Sequence, residues 1–253
     1  MTKNLKICAT IEARMSSTRL PGKVMMDHEG VPLIKIMVDR IRKSSVIDDV
    51  IIATTVNPRD DDLCTFLEKE GINFYRGSED NVLQRVLDAA KSNDCDLIVE
   101  LTGDCPLIDS NVIDQAVEMF TSQEDIDYVA NTTITRAYPR GADVQVFTTK
   151  TLEKVSHETD DLDDLENVSL YIYRTPGRFK LFPMPEPEFN IPEDARLTLD
   201  YPEDFAFIKE ILSELGHQCT LKEICQLLEI KPELMRINSG LAATYINDKN
   251  RNS

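Results

Sequence analysis

A chain of 253 residues, 42% hydrophobic and 29% charged, suits one large domain or a domain with a small appendage, and excludes a disordered polymer or a disulfide-stapled miniature. Against 45 acidic residues stand only 28 basic ones, a net charge of −17, so the surface repels nucleic acid and anionic lipid unless a local basic patch overrides it. No run reaches the ~20 apolar residues of a membrane span, and residues 1–6 are polar where a signal peptide would be apolar, so a cytoplasmic protein without membrane insertion or a nucleic-acid partner is expected.

Leu5–Ile11 reads as a buried strand. Leu33–Arg42 gathers Leu33, Ile34, Met37, Val38 and Ile41 on one helical face. Val50–Thr54 is a second strand and Asp60–Glu70 a second helix, opened by acidic residues that suit its dipole and closed by Gly71. A strand at Ile72–Tyr75, a helix at Glu79–Lys91 and a strand at Leu97–Leu101 follow, then a helix N-capped by Ser110 and running through Phe120. Strands joined by helices in this alternation predict an α/β fold with a doubly wound, mostly parallel sheet. From 128 to 196 the pattern loosens and prolines cluster at Pro183, Pro185, Pro187 and Pro192, which predicts an inserted region with antiparallel strands. Asp160–Asp164 reads as a solvated acidic patch. Helical patterns return at Glu203–Leu215, Leu221–Leu228 and Pro232–Asn238, so 216–253 is expected to form a helical extension frayed from 247 onward, within a single domain spanning 1–253.

Six cysteines show no CxxC pair and no histidine at zinc spacing, so buried free thiols are expected. Three scattered histidines give a Ser-His or Cys-His triad little support. The chemistry concentrates instead in residues 11–23, just past the first strand, where Arg14, Arg19 and Lys23 face one acidic residue, Glu12. Ligands of parallel sheets bind beyond the strands' carboxyl ends, and hydroxyls of Ser16, Ser17 and Thr18 would add donors for phosphate oxygens. Neither GxxxxGK[ST] nor GxGxxG is present. As charges on an exposed loop, these basic residues are expected to contribute little to folding. Asp104 and Asp200 each follow an apolar stretch, so both can face one crevice; helix capping is the plainer alternative for either.

The segment Ala13-Arg-Met-Ser-Ser-Thr-Arg-Leu-Pro-Gly-Lys23 resembles the signature of sugar cytidylyltransferases, including those acting on 3-deoxy-manno-octulosonate (KDO) and on acylneuraminate. The resemblance to spore-coat polysaccharide biosynthesis cytidylyltransferase-like proteins extends further. It includes Arg76-Gly-Ser-Glu-Asp-Asn-Val-Leu83, Thr102-Gly-Asp-Cys-Pro-Leu107, Tyr171-Ile-Tyr-Arg174 and Leu197-Thr-Leu-Asp-Tyr-Pro-Glu-Asp204. It implies a Rossmann-like nucleotide-diphospho-sugar transferase fold, Mg²⁺ dependence, CTP as donor, a sugar acid or sugar phosphate as acceptor, and a homodimer.

By position, the resemblance puts the nucleotide against Ala13, Arg14, Ser17 and Lys23, with Arg14 and Lys23 acting on the triphosphate. Asp104 and Asp200 would hold the metal, and Arg76 and Ser78 would lie near base or ribose. Cys105, beside Asp104, is a poor partner for a hard cation and reads as packing. Relatives commonly carry Gly-x-Asp-x-Glu-Val and Glu-His-Val-Thr where this chain has Gly141-Ala-Asp-Val-Gln-Val146 and Glu166-Asn-Val-Ser169. Asp143, Gln145 and Asn167 thereby become candidates for acceptor recognition, in a region (128–196) that would serve the acceptor or dimerisation. Two rivals stay open: a glycosyltransferase of related fold, which would not need a triphosphate loop, and a nucleotide-binding relative without turnover.

Overall fold

The computed structural model describes residues 5–132 and 136–241. Strand β1 (Ile7–Glu12) runs into a loop and a 3₁₀ turn at Lys23–Met25, then a two-stranded hairpin, β2 (Asp27–His28) and β3 (Val31–Pro32), and helix α1 (Leu33–Ile41). There follow β4 (Asp49–Thr55), a 3₁₀ turn at Pro58–Asp60, α2 (Asp61–Lys69), β5 (Asn73–Gly77), α3 (Val82–Ser92), β6 (Leu97–Thr102) and α4 (Ser110–Ser122). Next come β7 (Tyr128–Ala130), β8 (Gln145–Thr148), α5 (Thr149–Ser156), α6 (Leu162–Glu166), α7 (Leu170–Arg174) and β9 (Leu181–Pro183). The described chain ends with α8 (Pro202–Leu215), α9 (Leu221–Ile230) and a 3₁₀ segment, Pro232–Ile237. The expected fraying at 247–253 lies outside the described residues.

One seven-stranded sheet, in the order β5-β4-β1-β6-β8-β7-β9, forms the centre, and among the described residues β8 alone runs against the rest. This is the predicted α/β fold with a mostly parallel sheet. Among its described residues the 128–196 region builds no separate sheet: β8 pairs directly with β6 and extends the same layer. Side chains alternate across the strands. Ala9, Ile11, Leu97, Val99 and Leu101 pack on the face covered by α1, α4, α8 and α9. Cys8, Ile51, Ala53 and Ile98 pack on the other, with α3, α5 and α7. No helix among the described residues is long and apolar enough to cross a membrane.

Several local expectations are corrected. Cys8 and Cys95 form a disulfide, leaving Cys64, Cys105, Cys219 and Cys225 free. Pairing β1 with β6 brings the two Cα atoms to 5.9 Å across 87 residues, a juxtaposition that cysteine spacing cannot encode. The cap of α4 is Asp109, whose carboxylate accepts from the Asn111 N–H at 2.8 Å; Ser110 is the first helical residue. Asp60 stands at the start of α2 as expected, but its buried carboxylate does not cap the helix and instead accepts from the Met15 N–H at 2.7 Å and from the Thr55 hydroxyl. Within the acidic patch, Asp164 is also fully buried, bonded to Thr159 and Arg174. Helix α3 starts at Val82, three residues later than expected, because Asn81 accepts from the Gln84 N–H and caps it. That leaves Glu79 to brace the loop after β1.

Candidate active site

The crossovers leave β1 toward β4 on one side and place β6 on the other, so the sheet order reverses between β1 and β6. A crevice at the carboxyl ends of these strands follows from that reversal. Gly103 lets the two ends touch: its N–H donates to the Glu12 carbonyl at 2.9 Å, and a Cβ there would stand 2.9 Å from the same oxygen. The crevice is a cleft of about 440 Å³ lined by residues that include Glu12, Ala13, Arg14, Ser17, Arg19, Lys23, Arg85, Asp104, Glu166 and Asn167.

Three anchors shape the basic loop. Gly22 N–H donates to the Met15 carbonyl, buried Asp60 holds the Met15 N–H, and Glu79 accepts from Ser16 Oγ at 3.0 Å and Asn57 Nδ2 at 2.8 Å. Those two hydrogen bonds keep the Glu79 carboxyl below its ordinary range, with Arg14 adding to the effect. Arg14 itself is 42% exposed and touches Glu79 only at 3.6 Å, so its guanidinium is available to a ligand.

Lys23 is not the exposed loop charge expected. Its side chain is 13% exposed and its Nζ lies 3.1 Å from Asp104 Oδ2 and 3.0 Å from Asp200 Oδ1. Burial opposes the ammonium, but the two carboxylates outweigh it and raise the Lys23 pKa. Burial likewise works against the Asp104 carboxylate, yet Lys23 and the Thr102 hydroxyl hold its pKa below the ordinary value. Arg19 donates to Asp200 Oδ1 at 2.9 Å, a direction the sequence does not reveal.

The backbone explains how carboxylates 96 positions apart in the chain converge. Leu199 N–H donates to the Asp104 carbonyl at 2.8 Å and Leu197 N–H to the Arg140 carbonyl at 2.7 Å, laying the 195–200 segment beside the end of β6. Gly141, at φ 93°, makes room for it: a Cβ there would lie 2.4 Å from the Leu197 carbonyl carbon. Asp200 caps no helix. It is held from behind by buried Arg196, whose guanidinium also makes two bonds to buried Asp204. Asp204 accepts in addition from the Asp200 and Tyr201 N–H groups and from Asn238.

Among the other expected site residues, Ala13, Ser17 and Asn167 line the cleft. Asp200 does not line it directly and reaches it through Lys23 and Arg19. Arg76 and Ser78 are outside its lining: Arg76 donates to the Thr55 and Asn57 carbonyls, and Ser78 Oγ accepts from the Asn81 N–H. Asp143 pairs with Arg136, and Gln145 accepts from the hydroxyls of Tyr128 and Ser169. Cys105 is buried, 3.2 Å from Thr102 Oγ1, and burial pushes its thiol well above the ordinary value, in keeping with packing.

Strand periodicity also brings Glu12 and Glu100 to one face, because Thr10 pairs with Glu100 and Glu12 with Thr102. The sequence offered only the alternation as a signal for this pair. Burial, then the Glu100 charge, raises the Glu12 carboxyl well above its ordinary value against the pull of Arg85; burial takes Glu100 to about 7. The folded protein therefore holds the Glu100 proton between pH 4.5 and about 7, where the unfolded chain has released it. Stability from this group falls as pH rises through that window, by up to about 1.4 kcal/mol per pH unit. Urea unfolding at pH 5.5, 6.5 and 7.5 should show a shallower decline for Glu100→Gln than for the unchanged protein. An equal slope in both would remove Glu100 as the source.

Comparison with known proteins gives a consistent result. The family model for cytidylyltransferases matches residues 8–234. The spore coat polysaccharide biosynthesis protein SpsF of Bacillus subtilis is 33% identical over 233 residues, covering 88% of this chain and 94% of that one. A solved cytidylyltransferase from Leptospira borgpetersenii serovar Hardjo-bovis superposes with a TM-score of 0.84 at 32% identity, over 91% of this chain and 97% of that one. CMP:2-keto-3-deoxy-manno-octonic acid synthetase, solved with CTP, shares the fold with a TM-score of 0.62 at 17% identity, over 83% and 99%. With its basic loop and paired carboxylates at the sheet's switch point and the family match over nearly its whole length, the chain belongs to the cytidylyltransferase family.

Proposed function

We propose that this protein transfers a cytidylyl group from CTP to a sugar acid or sugar phosphate, releasing pyrophosphate, in the assembly of a surface polysaccharide or related glycan. The observation that carries the reading is the convergence of Asp104 and Asp200 on one cationic point beside Arg14 and Arg19. An acceptor oxygen would bond to the α-phosphorus as the bond to the bridging oxygen of pyrophosphate breaks. Arg14 and Lys23 would neutralise charge gathering on the leaving pyrophosphate, and Ser17 and the Ala13 main chain would position the phosphates. Two hard carboxylates already placed around one cation fit Mg²⁺, which would be held by Asp104 and Asp200. When bound it supplies Lewis-acid charge neutralisation at phosphate oxygens. Arg76 and Ser78 would act on the nucleotide side through the main chain and turn that they hold. Asn167 would meet the acceptor from the cleft wall, and Asp143 and Gln145 would assist in its recognition. The reading includes a homodimer, which sedimentation of the pure protein would register.

Incubation with Mg²⁺, CTP and a panel of sugar acids and sugar phosphates, followed by pyrophosphate detection, tests the reaction. Calorimetry should rank CTP above ATP, GTP and UTP; a preference for GTP would reject the nucleotide assignment. Hydrogen bonds to charged groups contribute about 1.5–3 kcal/mol, so Arg14→Ala should weaken CTP binding roughly tenfold to a hundredfold. Its melting temperature without ligand should stay put, since the exposed Arg14 side chain makes only a 3.6 Å ion pair with Glu79. Unchanged CTP affinity would remove Arg14 from the site.

A further inference from the structure

A second group of ligand-type side chains lies away from the cleft, where the β2–β3 hairpin meets the C-terminal end of α8. His28, Glu29 and His217 each present a donor atom, all within 4.8 Å of one another. The hairpin turns through Glu29 and Gly30, both at positive φ (53° and 80°), a conformation that glutamate adopts uncommonly. His28 is buried, His217 half-buried and Glu29 exposed, so the cluster opens to solvent on one side.

The imidazole geometry is specific. His28 Nδ1 lies 2.9 Å from His217 Nε2, and His28 Nε2 lies 3.1 Å from Ser213 Oγ. Two nitrogen lone pairs cannot face each other at that distance without a proton or a cation between them. One proton between the rings satisfies this contact in the metal-free chain, and a cation would replace it once His28 Nε2–H donates to Ser213 Oγ and leaves the Nδ1 lone pair free. Metal-binding histidines are typically oriented through the second ring nitrogen in this way. The main chain of His217 is fixed too, its carbonyl accepting from Arg40 Nη1 at 2.7 Å.

We propose that His28, Glu29 and His217 bind one divalent transition-metal ion of the zinc type, which clamps the hairpin to the end of α8. Two imidazoles and a carboxylate suit zinc or its neighbours rather than Mg²⁺, and three protein ligands leave a fourth position for water. Arg40 opposes a cation here, and Glu29 and Asp39 offset it. The clamp has structural consequence because the hairpin follows the turn that begins at Lys23, and α8 begins two residues after Asp200. At 1.5 Å per residue the 14-residue helix holds the clamp roughly 20 Å from Asp200, so it braces the two site-bearing segments without touching the reaction.

The test uses full-length protein freed of metal by chelator dialysis and titrated with Zn²⁺ in excess Mg²⁺, by calorimetry and by melting temperature. One equivalent should bind and raise the melting temperature. His217→Ala and Glu29→Gln, both at solvent-accessible positions, should each weaken binding at least tenfold, and His217→Ala should abolish the thermal shift. Asp104→Asn should leave Zn²⁺ binding unchanged. Bound Co²⁺ should give visible absorption in the unchanged protein and lose it in His217→Ala. No Zn²⁺ binding, binding that His217→Ala leaves within twofold, or binding lost in Asp104→Asn would each overturn the assignment.

Discussion

Asp104→Asn is expected to cut turnover by ~10²-fold or more while the protein keeps its fold, because the metal that we propose Asp104 holds would supply several kcal/mol of transition-state stabilisation. The shape of the side chain survives the change and its charge does not. Asp104 Oδ2 is one of two anionic oxygens at the Lys23 ammonium, and Oδ1 accepts from the Thr102 hydroxyl at 2.7 Å, a bond that an amide oxygen can retain. The bond that aligns the 195–200 segment uses the Asp104 main-chain carbonyl and is indifferent to the substitution. Pyrophosphate release from CTP measures the rate, and circular dichroism with melting temperature checks the fold. A near-normal rate would reject Asp104 as a metal-holding residue. Asp200→Asn should lower the rate comparably and also loosen the protein, since Asp200 pairs with Arg196 behind the site.

The largest loss of stability is expected from Asp204→Ala. This carboxylate is fully buried and accepts from Arg196 twice, from the Asp200 and Tyr201 N–H groups and from Asn238. Removing it leaves a buried guanidinium with Asp200 as its remaining carboxylate and strands two backbone donors. Breaking a buried ion pair on one side costs about 3–5 kcal/mol, which for a chain of this length lowers the melting temperature by roughly 10 °C. Asp204→Asn should lose less, because the amide oxygen still accepts. Activity should fall beyond what unfolding explains, since Asp200 takes its main-chain placement from Asp204. Urea unfolding measures the stability, and a loss below about 1 kcal/mol would show that water or a rearranged Arg196 replaces the network.

Much of this was readable from local pattern. Apolar alternation and helical spacing between residues 7 and 122 point to strands and helices close to those observed, because periodicity records which face of an element is buried. The basic loop and Asp104 could be placed at strand ends for the same reason, whereas the apolar stretch before Asp200 forms no strand and is laid beside β6 by backbone bonds to Arg140 and Asp104. Boundaries moved where a side chain other than the periodic ones decided the start, as Asn81 did for α3 and Asp109 for α4.

Which side chains meet is a different matter, set by strand order and register. Arg19 and Lys23 reach Asp200 across 181 and 177 residues, and Cys8 reaches Cys95 across 87. Glu12 and Glu100 share a face only because β1 pairs with β6 in a particular register, and buried Asp164 is met by Thr159 and by Arg174 from the next helix. A charged residue has the same local signature whether water or a buried partner satisfies it. Composition and periodicity therefore establish the α/β layers and the end of the sheet that carries the candidate site, whereas the burial of Lys23 between two carboxylates is decided by packing, since only the folded chain brings the compensating charges within hydrogen-bonding distance.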